Sequence, residues 1–218
     1  MRYAPIVPAV IPKSETEVKS LAEQLTFSRE FHLDLVDGKF VPTVSWPYSP
    51  EGDPLSVKHY LDVYTLEVDL MVAKPVVAAN EWIVAGADMV VFHLETLELE
   101  TFKNFTENTS VSVGISAHGD TAFERLVEYA QFADYIQLMG IYEIGSQGQP
   151  FYDGVFKQIE ELKRIFPDKS ITVDGSVNKD TIRRLFNAGV DRFIVGSAIV
   201  LQEDPEAAHA HLQALING

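Results

Sequence analysis

The feature that most constrains the fold is an alternation of short apolar runs with longer amphipathic stretches, repeated along the whole chain. Eight of the apolar runs have the length of β-strands, and most are rich in Val, Ile, Phe or Leu on both faces. Strands with two apolar faces are typical of a parallel sheet that helices cover. The predicted strands are Ile6–Ile11, Phe31–Val36, Thr65–Met71, Met89–His93, Val111–Ala117, Tyr135–Met139, Ser170–Asp174 and Arg192–Gly196.

Signals for the ends of helices lie between these runs. The segment from Ser14 to Glu17 has the pattern of a capping box, and Asp204 stands as an N-cap before a proline at the first helical position. Thr181–Ala188 has a helical pattern that Gly189 ends. Strand and helix signals therefore alternate along the chain.

About eight strand–helix units in 218 residues, without a recognisable linker, predict a single (β/α)8 TIM barrel over residues 1–218. The alternative is an open doubly wound sheet, but no Gly-x-Gly-x-x-Gly follows the first strand. The longest irregular segment, Asp37–Pro54, is interpreted as a functional loop or lid, with a tolerated surface excursion as the alternative.

Composition narrows the function classes. The 17 basic and 32 acidic residues give a net charge of -15, which disfavours binding to nucleic acid or to an anionic membrane. A small phosphate ligand stays compatible with this charge, because backbone amides can bind phosphate without Lys or Arg. The chain has no cysteine, no signal-like N-terminus and no apolar run of membrane-spanning length, so we expect a cytoplasmic protein. Whether it forms a homo-oligomer is left open, because no interface is recognisable.

Polar residues collect where the predicted strands end, which is the active-site edge of such a barrel. His32 and Asp34 alternate onto one face of the second strand, Asp69 lies on the third strand, and Asp174 ends the seventh. One imidazole with three carboxylates is a suitable ligand set for a divalent metal ion. Taken singly, a strand-end Asp can be a helix cap, as Asp37 can, and an inward His can be a satisfied core residue.

Small-residue loops follow the seventh and eighth strands, where barrels commonly bind phosphate. Gly175 and Ser176 lie in the first loop, and Gly196 and Ser197 lie in the second. A third glycine-rich segment, Gly145 to Gln149, follows the sixth strand and could fold over a ligand. Three ordinary tight turns are the alternative.

These segments together resemble the ribulose-phosphate 3-epimerase family over nearly the whole chain. The ordered set is specific, although each piece alone is weak. The segments that carry the resemblance are Phe31–Pro42, Val68–Val72, Gly86–Asp88, Phe92–Glu95, Gly145–Phe151, Val173–Gly175 and Val195–Ala198.

The resemblance implies a small-molecule sugar phosphate as substrate and a divalent metal ion, whether Mn, Mg, Zn, Fe or Co. It implies that Asp34 and Asp174 stand on opposite faces of a ketose phosphate and exchange the C3 proton as general base and general acid, while the metal stabilises the enediolate. The residues that match the family's substrate and phosphate sites are Met71, Met139, Gly145, Gly148, Gly175, Ser176, Gly196 and Ser197.

The chain also departs from the family pattern. Asp69 stands where the family has a metal-binding His, Pro12 where it has a Ser, and Val36 where it has a Met. Glu143-Ile144 replaces the usual Asn-Pro of the sixth loop. A set of one His and three Asp is harder and more negative, so we expect it to favour Mn²⁺ or Mg²⁺ over Zn²⁺, unless Asp69 does not bind metal.

Three functions remain in competition. The first is C3 epimerisation of ribulose 5-phosphate, or of another ketose phosphate such as a hexulose 6-phosphate. The second is a lyase on the same fold, but the Asp-x-Lys-x-x-Asp run of those families is absent around Asp34 and Asp69. The third is a barrel that binds sugar phosphate without turnover, which the residues at positions 12 and 69 motivate.

Overall fold

Eight parallel strands close into a barrel in a computed structural model that describes residues 4–145 and 148–218. Each strand pairs with the next along the chain, and the eighth pairs with the first. The (β/α)8 TIM barrel is thereby confirmed. The strands are β1 (Ile6–Val10), β2 (Glu30–Val36), β3 (Thr65–Met71), β4 (Met89–His93), β5 (Ser112–Ser116), β6 (Tyr135–Met139), β7 (Ser170–Asp174) and β8 (Arg192–Val195).

The helices alternate with the strands and pack around the barrel. In the described residues no helix is both long and apolar enough to cross a bilayer. Short 3₁₀ turns at Pro54–Val57 and Leu94–Thr96 supplement the helices. The helices are α1 (Glu15–Gln24), α2 (Lys58–Leu61), α3 (Pro75–Ala85), α4 (Leu99–Asn108), α5 (Phe123–Ala130), α6 (Val155–Ile165), α7 (Ile182–Ala188), α8 (Ser197–Val200) and α9 (Pro205–Asn217).

Local sequence signals explain several helix ends. The hydroxyl of Ser14 accepts a hydrogen bond from the backbone N–H of Glu17, and Asp204 accepts one from Ala207, so both predicted N-caps are confirmed. Gly189 ends α7 in the left-handed conformation with φ of 108°. A glycine adopts this conformation without a steric clash because it has no Cβ. These caps fix where each helix begins or ends relative to the strand beside it.

The main apolar core lies between the barrel and its helices. It contains the outward side chains of the strands and the inner faces of the helices, with Trp46, Trp82, Phe92 and Phe102 among its largest buried members. Both faces of nearly every strand are buried, as the sequence pattern predicted.

The inside of the barrel is unusually polar. Barrel interiors are ordinarily filled by branched apolar side chains, whereas His32, Glu67, Asp69, Gln137 and Arg192 are all buried in this one. Buried charges are costly unless they are paired, so their arrangement points to a specific site.

Candidate active site

Four potential metal ligands meet at the C-terminal end of the barrel. His32, Asp34, Asp69 and Asp174 each offer one ligand atom, and these atoms all lie within 4.8 Å of one another. His32 and Asp69 are fully buried, while Asp174 is partly exposed. Three carboxylates beside one imidazole have the donor chemistry and the spacing that suit a divalent cation.

The pairing of strands explains why these residues converge. Asp34 and Asp69 are direct partners in the register of β2 and β3, and His32 lies two residues earlier on the same face of β2. Asp174 is the last residue of β7, where it pairs with Ile194 of β8 and Met139 of β6. The barrel thus brings together residues that are far apart in the sequence.

Both carboxylate oxygens of Asp69 have hydrogen-bond partners. His93 Nε2 lies 2.9 Å from Asp69 Oδ1, and Gln137 Nε2 donates to Oδ2 over 2.7 Å. Burial lowers the pKa of His93, but the charge of Asp69 and its hydrogen bond outweigh burial, so the pKa rises above its ordinary value. The two donors hold the Asp69 carboxylate in one orientation and leave further lone pairs for a cation.

The paired carboxylates of Asp34 and Asp174 hold protons more tightly than ordinary aspartates. Burial raises the pKa of Asp174 well above its usual range, and the nearby charge of Asp34 raises it further. Burial also raises the pKa of Asp34, although the hydrogen bond from His32 opposes the shift. Burial is the largest cause of both shifts, and repulsion among the carboxylates adds to it. A bound cation would relieve that repulsion, which is a second reason why the cluster fits a divalent metal.

Beneath the cluster, His32 is held by a buried charge network that we call the floor network: Glu30, Glu67, Tyr135 and Arg192. His32 Nδ1 lies 2.6 Å from Glu67 Oε2, and Arg192 Nη1 donates to the same oxygen over 2.6 Å. Tyr135 donates its hydroxyl to the other oxygen of Glu67, and Arg192 Nε reaches Glu30 over 2.7 Å. The sequence alone assigned no role to Glu67, Tyr135, Gln137 or Arg192.

Above the metal ligands lies a cavity of about 280 Å³, at the small end of the range for ligand sites. Asp34 and Asp174 line it, as do all eight residues that were matched to the family's substrate and phosphate sites: Met71, Met139, Gly145, Gly148, Gly175, Ser176, Gly196 and Ser197. Gln149, from the segment predicted to fold over a ligand, also lines the cavity, whereas the sequence did not indicate Ile141 or Ile194, which line it too. In the segment after β1, Ile11 lines the cavity. Pro12 is not among the described lining residues, and its carbonyl accepts a hydrogen bond from the backbone N–H of Trp46.

Glycines allow the loops around the cavity to approach one another. Gly175 has φ of 92° and Ser176 has φ of 51°, so the chain turns sharply after β7. Gly145 has φ of 84°, and an added Cβ there would lie 2.6 Å from Val41, which shows how closely the loops after β6 and β2 meet. Ser146 and Gln147, in the middle of the glycine-rich segment, lie outside the described residues.

An apolar cluster forms one wall of the site. It includes Val36, Val41, Met71, Met139 and Ile141 and is separate from the main core. Phe40 packs against it and places its ring 5.6 Å from that of His93. This wall limits the access of water to the carboxylates and thereby strengthens electrostatic interactions among them.

The protein is a closed parallel barrel with a small cavity at its C-terminal end. A cluster of acidic residues suited to bind a metal ion lies beneath that cavity. This combination defines the class of barrel enzymes that act on small molecules. Residues 4–200 match the model of the ribulose-phosphate 3 epimerase family. The chain therefore belongs to the ribulose-phosphate 3-epimerase family, and it is an isomerase of that type.

Curated relatives agree with this assignment. The chain is 28% identical over 215 residues to a ribulose-phosphate 3-epimerase of Mycobacterium tuberculosis, covering 95% of this chain and 91% of the relative. It is 29% identical over 190 residues to the ribulose-phosphate 3-epimerase of Bacillus subtilis, covering 84% of each chain.

Solved structures support the fold alone, because their identities are low. A 3-hexulose-6-phosphate synthase from Salmonella typhimurium superposes with a TM-score of 0.72 at 15% identity, covering 98% of each chain. KGPDC from Streptococcus mutans in complex with D-R5P gives a TM-score of 0.72 at 14% identity, covering 98% of this chain and 97% of that one.

Proposed function

We propose that the chain interconverts ribulose 5-phosphate and xylulose 5-phosphate by inverting C3 of the sugar. The observation that carries the proposal is the placement of Asp34 and Asp174, which reach one cavity from β2 and β7 with carboxylate oxygens within 4.8 Å of each other. Two carboxylates on different strands can address the two faces of one small ketose. Inversion at a carbon next to a carbonyl needs that geometry.

The two carboxylates differ in a way that suits opposite roles. Asp34 has His32 Nε2 at 3.2 Å, which supports its charged form, whereas the pKa of Asp174 is raised further by burial and by the charge of Asp34. In one direction ionised Asp34 takes the C3 proton, and protonated Asp174 gives its own proton to the opposite face of that carbon. The pair then holds the same total number of protons, and the reverse reaction begins with the roles exchanged.

A divalent cation fits among His32, Asp34, Asp69 and Asp174, as their spacing indicates. When bound, it would supply positive charge to the substrate oxygens, on which negative charge develops as the proton leaves. His93 and Gln137 would keep Asp69 oriented toward the same point. The apolar wall of the site would limit the access of water to the reacting carbon.

The phosphate group would lie at the other end of the cavity. Gly175 and Ser176 after β7, and Gly196 and Ser197 after β8, line that end, and no Lys or Arg is among the described lining residues. Backbone amides and serine hydroxyls can hold a phosphate without a cationic side chain. Neutral donors would also avoid a strong ion pair that slows product release.

Incubation with ribulose 5-phosphate in D₂O tests the proposal most directly. We expect deuterium to appear at C3 together with formation of xylulose 5-phosphate, in protein supplied with Mn²⁺ or Zn²⁺. If deuterium entered C3 of a hexulose 6-phosphate but not of ribulose 5-phosphate, the proposed substrate would be wrong and the proposed C3 proton transfer would stand. Binding without any exchange, across several divalent metals and both substrates, would contradict the proposal and favour a sugar-phosphate-binding barrel.

A further inference from the structure

We infer that Glu67 is a positioning residue for the divalent cation, because its carboxylate fixes the ring of His32 so that Nε2 faces the other three ligands. The inference deepens the proposed function and rests on its metal site. Glu67 itself lies one layer below the cavity and touches neither the substrate site nor Asp34 in the described contacts.

The contacts of His32 define its orientation. Nδ1 lies 2.6 Å from Glu67 Oε2, and Nε2 lies 3.2 Å from Asp34 Oδ1. The imidazole is fully buried, so water offers it no alternative partner. An ionised carboxylate can only accept hydrogen bonds, so the short contact requires Nδ1 to carry a proton. In the metal-free protein Nε2 donates to Asp34, and it is the nitrogen that faces the other ligands; a divalent cation would bind there in place of that proton.

The floor network keeps Glu67 in place. Arg192 donates to Glu67 Oε2 over 2.6 Å, and Tyr135 donates to Oε1, so each carboxylate oxygen has a strong donor. Arg192 is itself anchored to Glu30 at the edge of the barrel. A ring flip of His32 would break a hydrogen bond to a buried charge, which costs more than a neutral contact.

A carboxylate behind a metal-binding histidine orients the ring and increases its basicity, and loss of such a partner typically weakens metal affinity by roughly 10–100-fold. The same effect is expected here. His32 is the one imidazole of the cluster, and its orientation cannot be set from the solvent side.

The test uses the double variant Glu67→Met with Arg192→Met, which removes the acceptor for His32 without leaving a buried cation unpaired. Binding of Mn²⁺ to chelator-treated full-length protein would be measured by calorimetry. We expect the dissociation constant to rise by roughly 10–100-fold. The matched control is the double variant Lys163→Met with Asp191→Asn, which removes a 2.6 Å ion pair that has no described contact with His32 or the floor network; we expect it to bind Mn²⁺ as the unmodified protein does.

A second measurement needs no floor-network variant. Nitrogen NMR of the Zn²⁺-loaded unmodified protein, with His32 assigned from the spectrum of His32→Gln, reports which ring nitrogen carries the proton. We expect Nδ1 to be protonated and Nε2 to be metal-bound; a proton on Nε2 would overturn the inference even if the double variant failed to fold. Equal Mn²⁺ affinity in a folded double variant would overturn it while leaving the metal site intact. Failure of the unmodified protein to bind any divalent metal would contradict both the metal site and this inference. Isotope exchange at C3 would then still test, independently, whether the protein catalyses the proposed epimerisation.

Discussion

Asp69 stands where the sequence comparison leads us to expect a histidine, and two side chains donate to it. An Asp at this position is shorter than an imidazole and negatively charged, yet it reaches the cluster because His93 and Gln137 hold both of its oxygens. Gln137 lies in the middle of β6, and nothing in its local sequence marks it as a partner of Asp69. Two other strands therefore supply the hydrogen-bond partners of this carboxylate.

The ligand set gives the first prediction. Replacing Asp69 by His should raise the affinity for Zn²⁺ relative to Mn²⁺, because imidazole is a softer ligand than carboxylate. The ratio would be measured by competition between the two metals. Asp62→His is the control, since it makes the same substitution at an exposed aspartate outside the cluster, and we expect its ratio to match the unmodified protein. An unchanged ratio in Asp69→His would mean that residue 69 does not bind the metal.

The proposed proton donors give the second prediction. Asp34→Asn and Asp174→Asn should each lower the rate of epimerisation by roughly 10²–10⁴-fold or more, because an amide cannot exchange the C3 proton. Thermal unfolding would establish that both variants fold. Asp62→Asn, an exposed aspartate that pairs with Lys58 on the outside of the barrel, serves as the matched control and should retain full turnover. Near-normal turnover in either of the first two variants would remove the acid–base assignment.

The elements around the cavity meet through backbone contacts as well as side chains. Asp37, after β2, accepts hydrogen bonds from the backbone of Lys39 and from Ala73 after β3, so it joins two loops rather than capping a helix. Gly140, after β6, donates to the carbonyl of Asp174 over 2.6 Å. The loops after β2, β3, β6 and β7 thus position one another.

Gly140 gives the third prediction. A Cβ at this position would lie 2.2 Å from the carbonyl oxygen of Gly175, so Gly140→Ala must push the loops after β6 and β7 apart. We expect a loss of about 1–3 kcal/mol in unfolding free energy, together with reduced turnover because Asp174 moves.

Gly189→Ala is the control for backbone strain. Its φ of 108° disfavours alanine, but the nearest atom to an added Cβ is 3.7 Å away and the residue lies outside the cavity. We expect a cost of about 1–2 kcal/mol with normal turnover per folded molecule. Thermal unfolding and steady-state rates measure both effects, and unimpaired turnover in Gly140→Ala would show that the two loops move independently.

At the scale of the whole molecule, the chain has a net charge of -15, and the barrel buries several of its charged groups at one site. Burial raises the pKa values of Asp34 and Asp174, and the neighbouring carboxylates raise those of His32 and His93 despite burial. For Glu67, burial acts in the opposite direction to Arg192 and His32, and the two charges hold its pKa well below the usual range. In the absence of metal, the aspartates and histidines of the cluster therefore retain protons at a higher pH than the free side chains do.

The raised pKa values of the cluster give the fourth prediction. A group whose pKa is raised by folding stabilises the native state fully below its unfolded pKa, and the stabilisation is lost as pH rises through the folded pKa. Metal-free protein should therefore lose thermal stability from mildly acidic to mildly alkaline pH. Glu67 acts in the opposite sense, but its contribution is lost only as pH falls below the ordinary pKa of a glutamate, which is more acidic than this pH range.

Added Mn²⁺ should raise the unfolding temperature most at the alkaline end, because the cation replaces protons that the cluster has already released. Differential scanning calorimetry of chelator-treated protein, with and without Mn²⁺, measures both effects. A metal-free unfolding temperature that rises across the same pH range would contradict the assignment of these shifts.

The eight strands were predictable within one residue at either end, because most are short runs rich in apolar residues and nearly all of their side chains are buried. The sequence by itself also placed His32, Asp34, Asp69 and Asp174 together at one end of the barrel, since alternation along a strand and the common end of parallel strands are local rules. What only the tertiary structure decided is which side chains from distant strands support them. Glu67, Gln137 and Arg192 acquire their roles through contacts with residues 35 to 125 positions away, and no local pattern encodes a distance of that kind.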